Sequence, residues 1–181
     1  MRLRAYSSEG VILARKNYSE ADRIVVIFSK SYGKVRLIAK GVRYPKSRKR
    51  GHLEIFTRIK YSATKSYGMD ILTEVETINF FENTRKNLKK TALAYYLVEV
   101  IGRLIAEEER NIDLYYHLLK TLTKLETATN LKTLRKDFVS DSLKLLGFWP
   151  RTKIMDDPDK ILEEVIEKKV SSARVGKRLL T

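Results

Sequence analysis

The chain has 181 residues, with 37 Lys and Arg against 22 Asp and Glu, so its formal net charge is +15. This length suits one domain or two small ones, with a hydrophobic core that needs no disulfide or metal to hold it. The chain has no cysteine and only two histidines, His52 and His117. This composition excludes disulfides, thiolate zinc sites and a cysteine nucleophile, and it argues against a histidine metal site or catalytic triad.

The first 40 residues predict three β-strands. Residues 10–15 include an apolar run, residues 23–28 are rich in β-branched side chains, and residues 35–39 alternate between apolar and polar side chains. The alternation leaves Arg36 and Lys40 on one face of the third strand. A hairpin turn is predicted at 31–34, where Gly33 is free to adopt a positive φ.

The third strand leads into a strongly basic loop at 41–51, within a block of eight basic residues and no acid. These residues are Lys34, Arg36, Lys40, Arg43, Lys46, Arg48, Lys49 and Arg50. A block of like charge repels itself, so an anionic partner is the usual reason for it, and a nucleic-acid backbone is the commonest such partner. The alternative is a solvated loop without a partner. Residues 1–80 hold 17 basic and 7 acidic residues, net +10, against 20 and 15, net +5, in 81–181.

Two further strands are predicted at 53–63 and 70–80, separated by a turn at 65–68. Five short strands with turn signals at regular spacing indicate a small barrel or sandwich. A five-stranded Greek-key barrel of the oligonucleotide-binding (OB) type fits a segment of about 75 residues.

The hydrophobic period changes to that of helices after residue 80. We expect a first helix capped by Asn83 or Thr84 and running to about 106, a second after Asn111 over 112–126, and a third over 131–146. Gly147 is a suitable helix terminator. Two short helices, at 160–169 and 173–180, are predicted after an acidic linker. The fold class is therefore α+β, with an OB-fold domain at 1–80 and an all-α helical domain at 81–181.

Candidate catalytic groups are few. Glu20 with Asp22, and Glu74 with Glu76, each share a face of a strand, and Asp70 could join them at a metal-dependent nuclease site. Acids on the solvent-facing side of a strand need no catalytic role, and this explains them at least as well. The glycines are too dispersed for a phosphate-binding loop.

Tyrosines near basic residues favour binding to nucleic acid. Tyr44 lies inside the basic loop and is the best candidate for stacking on an unpaired base, while Lys and Arg follow the phosphates. We expect the other strand tyrosines to be half-buried packing residues, and His52 and His117 to be structural or to face solvent.

Several segments resemble the bacterial RecO proteins. In the strand region these are 8–13 (SEGVIL), 18–24 (YSEADRI), 38–43 (IAKGVR), 45–48 (PKSR) and 50–56 (RGHLEIF). In the helical region they are 92–97 (ALAYYL) and 145–150 (LLGFWP). The similarity covers residues 1–150 in order.

The resemblance implies a DNA repair and recombination mediator that is not an enzyme and needs no cofactor. It implies binding to single- and double-stranded DNA, strand annealing, and action with RecR and the C-terminal tail of SSB, with RecF and the RecA recombinase as further partners. Many RecO proteins carry a four-cysteine zinc element after the position of Trp149–Pro150. This sequence has no cysteine there, so we expect no zinc.

We therefore predict DNA contacts from the basic residues of the barrel and the loop. The main set is Lys40, Arg43, Lys46, Arg48, Lys49 and Arg50, with Arg15, Lys34 and Arg36 secondary and Tyr44 stacking. Such contacts position DNA without reading its sequence. Two alternatives stay open, a protein-binding adaptor with only general DNA adhesion and a metal-dependent nuclease.

We expect a cytoplasmic, nucleoid-associated location. No signal peptide precedes the first strand, and no apolar run approaches the length that spans a bilayer.

Overall fold

The computed structural model describes residues 5–167, and its first half is a closed β-barrel. The strands are β1 (Ala5–Tyr18), β2 (Asp22–Ser29), β3 (Gly33–Ala39), β4 (Arg58–Thr64) and β5 (Asp70–Asn79). They follow the order β1-β2-β3-β5-β4, and β4 pairs with β1 to close the barrel. All neighbours are antiparallel except β3 and β5, which pair in parallel over two residues. This arrangement confirms the predicted OB-type barrel.

Alternating side chains fill the barrel. On β3, Val35, Leu37 and Ala39 are buried, while Arg36 and Lys40 are exposed, as the alternation predicts. Gly33 begins the strand with φ of +68°. A Cβ at Gly33 would lie 2.3 Å from the Glu109 carbonyl oxygen, so glycine permits both the turn and the close approach of the connection between two helices.

The middle of strand β1, residues 10–13, is buried on both sides because it lies between two cores. Ile12 faces the barrel interior, whereas Val11 and Leu13 pack in the cluster that the helices form. A β-bulge between Ile12 and Ala14 bends the strand at this point. The apolar run in this strand thus reflects two buried faces.

The connection between β3 and β4 departs from the prediction. The strand expected over 53–63 is wrong for its first half, because β4 begins at Arg58 and a short 3₁₀ helix (Arg50–His52) precedes it. Phe56 has a φ of +55°, which interrupts any strand there. The Arg15 and Arg85 guanidinium groups donate hydrogen bonds to backbone carbonyls of this segment, at Leu53 and Ile55 respectively. These bonds replace those that a strand ladder would supply.

Five helices follow the barrel within residues 5–167. They are α1 (Glu82–Arg85), α2 (Leu88–Leu104), α3 (Ile112–Thr127), α4 (Leu131–Leu145) and α5 (158–167). The single helix expected from Asn83 or Thr84 to 106 is wrong, because the chain turns at Lys86 and α2 starts afresh. The Asn87 side chain caps α2 by accepting a hydrogen bond from the Lys90 N–H at 3.1 Å. The cap at Asn111 is confirmed, with a 2.9 Å bond from the Leu114 N–H.

The barrel and the helices share one hydrophobic cluster. Phe28 and Phe56 from the barrel pack in it with Leu97, Ile101 and Tyr115 from α2 and α3. A domain boundary at 80/81 stays a prediction, since this cluster crosses it. The last predicted helix, at 173–180, lies outside the described residues. Within 5–167, no helix combines the length and the apolar character needed to cross a membrane.

Candidate nucleic-acid interface

The basic loop, residues 41–51, is attached to the barrel at its first end. The Gly41 N–H donates to Asp22 Oδ1 at 2.8 Å, and the Arg43 N–H donates to the Ala21 carbonyl at 2.9 Å. Gly41 has a φ of +64°, a conformation that glycine adopts without strain. The loop therefore lies against the turn between β1 and β2.

The other end of the loop is held by β5. Lys49 Nζ donates to the Leu72 carbonyl at 3.1 Å. One residue beyond the loop, His52 Nδ1 accepts from the Thr77 N–H at 3.2 Å and lies 2.8 Å from Thr77 Oγ1. This arrangement places the proton of a neutral imidazole on Nε2 and gives His52 a structural role. The loop thus spans from the β1–β2 turn to β5 and is fixed at both ends.

Most of the predicted contact residues of the loop project outward. Exposed side chains belong to Lys40, Arg43, Tyr44, Lys46, Arg48 and Arg50. Arg43 is anchored, since its Nη1 donates to the carbonyls of Ser19 and Glu20 at 3.3 and 3.0 Å. The side chains of Lys40, Lys46, Arg48 and Arg50 make no hydrogen bond or ion pair with residues in the described range. Tyr44 is 61% exposed.

The other predicted contact residues are already occupied by protein groups. Arg15 pairs with Glu54 and donates to the Leu53 carbonyl at 3.2 Å. Arg36 pairs with Glu107 at 2.8 Å. Lys34 Nζ donates to the carbonyls of Gly102 and Ile105, and Lys49 donates to Leu72 as described above. Their contacts with DNA stay predictions, but their charges are partly used to hold the fold.

The structure adds Arg23 to this basic surface, a residue that the sequence did not single out. Arg23 lies opposite Asn17 in the β1–β2 ladder, and its Nε donates to Asn17 Oδ1 at 3.3 Å. Burial, together with the positive charges of Arg15, Arg43 and Arg50, lowers the pKa of Arg23, although the nearby Glu54 carboxylate opposes the shift. We call these four residues the arginine cluster. The fold brings these residues together from β1, β2 and the basic loop, which sequence spacing does not show.

A second concave region has a different electrostatic character. A cleft of about 700 Å³ lies between the start of β3 and the β4–β5 turn. It is lined by charges of both signs, which are Lys34, Arg36, Lys65, Asp70, Glu107 and Glu108. Because these charges balance, the cleft offers no net attraction to a polyanion, and the basic loop with the arginine cluster is the better nucleic-acid candidate.

The strand carboxylates bond to protein groups. Asp22 accepts from the Gly41 N–H, Asp70 Oδ2 accepts from the Tyr6 hydroxyl at 2.7 Å, and Glu74 lies 3.4 Å from Ser62 Oγ. Within residues 5–167, no three His, Asp or Glu side chains gather closely enough to hold a metal ion. The nuclease hypothesis therefore gains no support from their placement.

The remaining tyrosines and His117 divide between packing and exposure. Tyr61 is buried and donates to Ser29 Oγ at 2.9 Å, and Tyr6 is half-buried. Tyr32, 40% exposed, also packs edge to face on Tyr6, with ring centroids 4.7 Å apart, whereas Tyr67 is fully exposed, so the packing expectation is wrong for Tyr67. Tyr18 is 51% exposed. His117 stacks on Phe138 at 5.1 Å, and burial lowers its pKa, as expected for a structural histidine.

Comparison with known families places this fold among recombination proteins. Residues 1–81 match the family profile described as "Recombination protein O N terminal", and residues 85–153 match "Recombination protein O C terminal". The chain is 32% identical over 151 residues to a "DNA repair protein RecO" of Roseiflexus sp., covering 83% of this chain and 53% of that protein.

Two further relatives with the same description show similar values. The protein of Dehalococcoides mccartyi is 30% identical over 82% of this chain and 58% of its own length. The protein of Caldanaerobacter subterraneus is 31% identical over 82% of this chain and 60% of its own. The chain thus spans between half and three fifths of the length of these relatives.

Proposed function

The chain belongs to the RecO family, and on that premise we propose that it is a DNA repair protein that binds single- and double-stranded DNA through the basic loop and the arginine cluster. The observation that carries the proposal is the loop itself. It is fixed to the barrel at both ends, yet it directs three unpaired cationic side chains, Lys46, Arg48 and Arg50, to solvent, and the exposed Lys40 lies just before it. Because the ends of the loop are already held, little backbone entropy is lost when these side chains meet a polyanion.

The proposed contacts divide by role. Lys40, Lys46, Arg48 and Arg50 contact phosphates directly, and Arg43 does so from its anchored position. Tyr44 stacks on an unpaired base. Arg15, Lys34, Arg36 and Lys49 act mainly by holding the loop and the barrel in place, and they contribute to the positive field.

We propose strand annealing as the activity of this surface. Two complementary strands repel each other through their phosphates, and a protein that neutralises phosphates on both strands lowers that repulsion. Contacts to phosphates carry no sequence information, so the same surface accepts either strand. In this proposal the chain acts by binding and takes no part in bond breakage.

The family also suggests protein partners. We propose that RecR and the C-terminal tail of SSB bind this chain, and that RecF and the RecA recombinase act in the same process. In this proposal the protein works in the cytoplasm, in association with the nucleoid.

A binding titration over a salt series tests DNA binding. A fluorescent 30-nucleotide single strand and its duplex are each titrated with the chain between 50 and 300 mM salt. Each neutralised phosphate contributes about −0.7 to the slope of log K against log salt for a single strand and about −0.9 for a duplex. We expect tight binding at low salt and slopes that correspond to several phosphates. No binding at 50 mM salt would overturn the proposal.

A further inference from the structure

Tyr95 is an exposed aromatic residue of α2 beside the barrel. It is 41% exposed, and its ring meets the Phe56 ring edge to face with centroids 5.5 Å apart. Phe56 itself is fully buried in the connection between β3 and β4. The tyrosine ring is therefore held on one side by the barrel and accessible to solvent on another.

The surroundings of Tyr95 connect it to the arginine cluster. Arg15 bonds to the Leu53 carbonyl, three residues before Phe56 in the same short segment. Arg85 bonds to the Ile55 carbonyl, and its guanidinium carbon lies 3.8 Å from the Phe56 ring centroid. Residues 53–57 thus contact both Tyr95 and Arg15, which also pairs with Glu54, and Arg85 lies within electrostatic range of both.

The same side of α2 carries further apolar surface. Leu88, Ala92 and Tyr95 are exposed at positions i, i+4 and i+7, which place them in one row along the helix. Leu88 is 86% exposed. An exposed aromatic ring near cationic side chains is the combination that binds unpaired nucleotides, because bases stack on the ring while phosphates meet the cations.

We propose that Tyr95 is a base-stacking residue, and that a bound single strand runs from the basic loop across the arginine cluster to this row on α2. The inference rests on the proposed DNA binding and extends the binding surface onto the helices. In this proposal Tyr44 and Tyr95 are two stacking positions along the same strand. Single strands are the ligand class, since the bases of a duplex stack on each other and have no free face for the ring.

The test uses the whole chain with Tyr95→Ala, Tyr95→Leu and Tyr95→Phe. Tyr116→Ala is the matched control, because Tyr116 is 49% exposed on α3 and packs against Tyr115. The ligand is an oligothymidylate with one 2-aminopurine, whose fluorescence reports stacking. Affinity is measured across a salt series, and thermal unfolding of every variant verifies that it folds.

We expect Tyr95→Ala to weaken single-strand binding about tenfold with no change in the salt slope, because a stacking residue releases no counterions. Tyr95→Phe keeps the wild-type affinity. Tyr95→Leu retains apolar bulk against Phe56, so it preserves folding but still loses the fluorescence change. Tyr116→Ala binds like the wild type.

Two results would overturn the stacking role. One is that Tyr95→Ala keeps the wild-type affinity and fluorescence change. The same result is expected if the exposed row on α2 binds a protein and not DNA. The other is an equal loss in Tyr95→Ala and Tyr116→Ala. Failure of the wild type itself to bind DNA would overturn the proposed function, so the two failures are distinguishable.

Discussion

The guanidinium carbon of Arg85 lies 3.8 Å from the centroid of the Phe56 ring. The Phe80 ring lies at 3.9 Å from the same carbon. Arg85 also donates hydrogen bonds to the carbonyls of Phe80 and Ile55 and to Thr57 Oγ1, at 2.7, 2.8 and 2.9 Å. This one side chain thus fastens α1 to the connection that leads from the basic loop into β4.

We predict that Arg85→Ala destabilises the protein by about 2–4 kcal/mol, because it leaves buried acceptors without donors and two rings without their cation. Arg85→Lys restores little, since an ammonium cannot reach three acceptors in the plane of a guanidinium. Lys86→Ala, at the next and exposed position, serves as the control and stays within about 0.5 kcal/mol. Urea unfolding measures all three. Equal stability of Arg85→Ala and the control would contradict the role of Arg85.

Lys34 and Lys40 lie on the same side of β3 and the residue that follows it, but their roles differ. Lys34 stabilises the fold, whereas Lys40 is a proposed DNA contact. Lys34 Nζ donates to the carbonyls of Gly102 and Ile105, at 2.9 and 2.7 Å, where the negative end of the α2 dipole lies. We predict that Lys34→Met costs about 1–3 kcal/mol of stability. Lys40→Met leaves stability unchanged and weakens DNA binding, because Lys40 is exposed.

Urea unfolding and DNA titration of both variants, at a temperature where both are folded, measure this separation. Reversed behaviour, with Lys40→Met unstable and Lys34→Met defective only in DNA binding, would contradict it.

The ion pair between Glu9 and Arg58 predicts a pH dependence of stability. The hydrogen bond from Arg58, at 2.7 Å, lowers the pKa of Glu9 below its ordinary value of 4.5, although partial burial opposes the shift. A carboxyl group whose pKa is lower in the folded state stabilises the fold above its ordinary pKa. That stability is lost as the pH falls through the folded-state pKa.

We therefore expect Glu9→Gln to be less stable than the wild type at pH 7, and this difference to shrink as the pH falls below 4.5. Urea midpoints from pH 7 to pH 3 measure this difference. Glu76→Gln is the control, because Glu76 is exposed. A difference that stays constant over this pH range would show that the ion pair does not contribute.

The barrel could be predicted from the sequence because its strands carry their own signals. The alternation of β3 and the glycine at its start are local properties, and both predict the structure correctly. The segment 53–57 could not be predicted, because its apolar side chains also alternate. The arginines that take its carbonyls come from residues 15 and 85, far away in the sequence.

The candidate site was predictable to a similar extent. The charge pattern of the sequence locates the basic loop, since eight basic residues and no acid lie between residues 34 and 50. It cannot tell which cations are free, because Lys34 and Lys49 bond to carbonyls that only the fold brings near. Arg23 and Tyr95 lie in ordinary strand and helix patterns, and only their neighbours in the structure draw attention to them.

Strand annealing by a loop variant tests the central proposal most directly. Arg48→Glu with Arg50→Glu reverses two exposed charges of the loop. Arg151→Glu with Lys153→Glu makes the same change in net charge at exposed positions between α4 and α5. Complementary fluorescent strands are mixed with each protein, and the rate of annealing and the affinity for a single strand are measured together at 100 mM salt.

We predict that the loop variant loses at least about tenfold in both quantities, with a shallower salt slope, while the control variant stays within about twofold of the wild type. Equal losses in the two variants would mean that only net charge matters. Wild-type annealing by the loop variant would contradict the assignment of DNA binding to the loop.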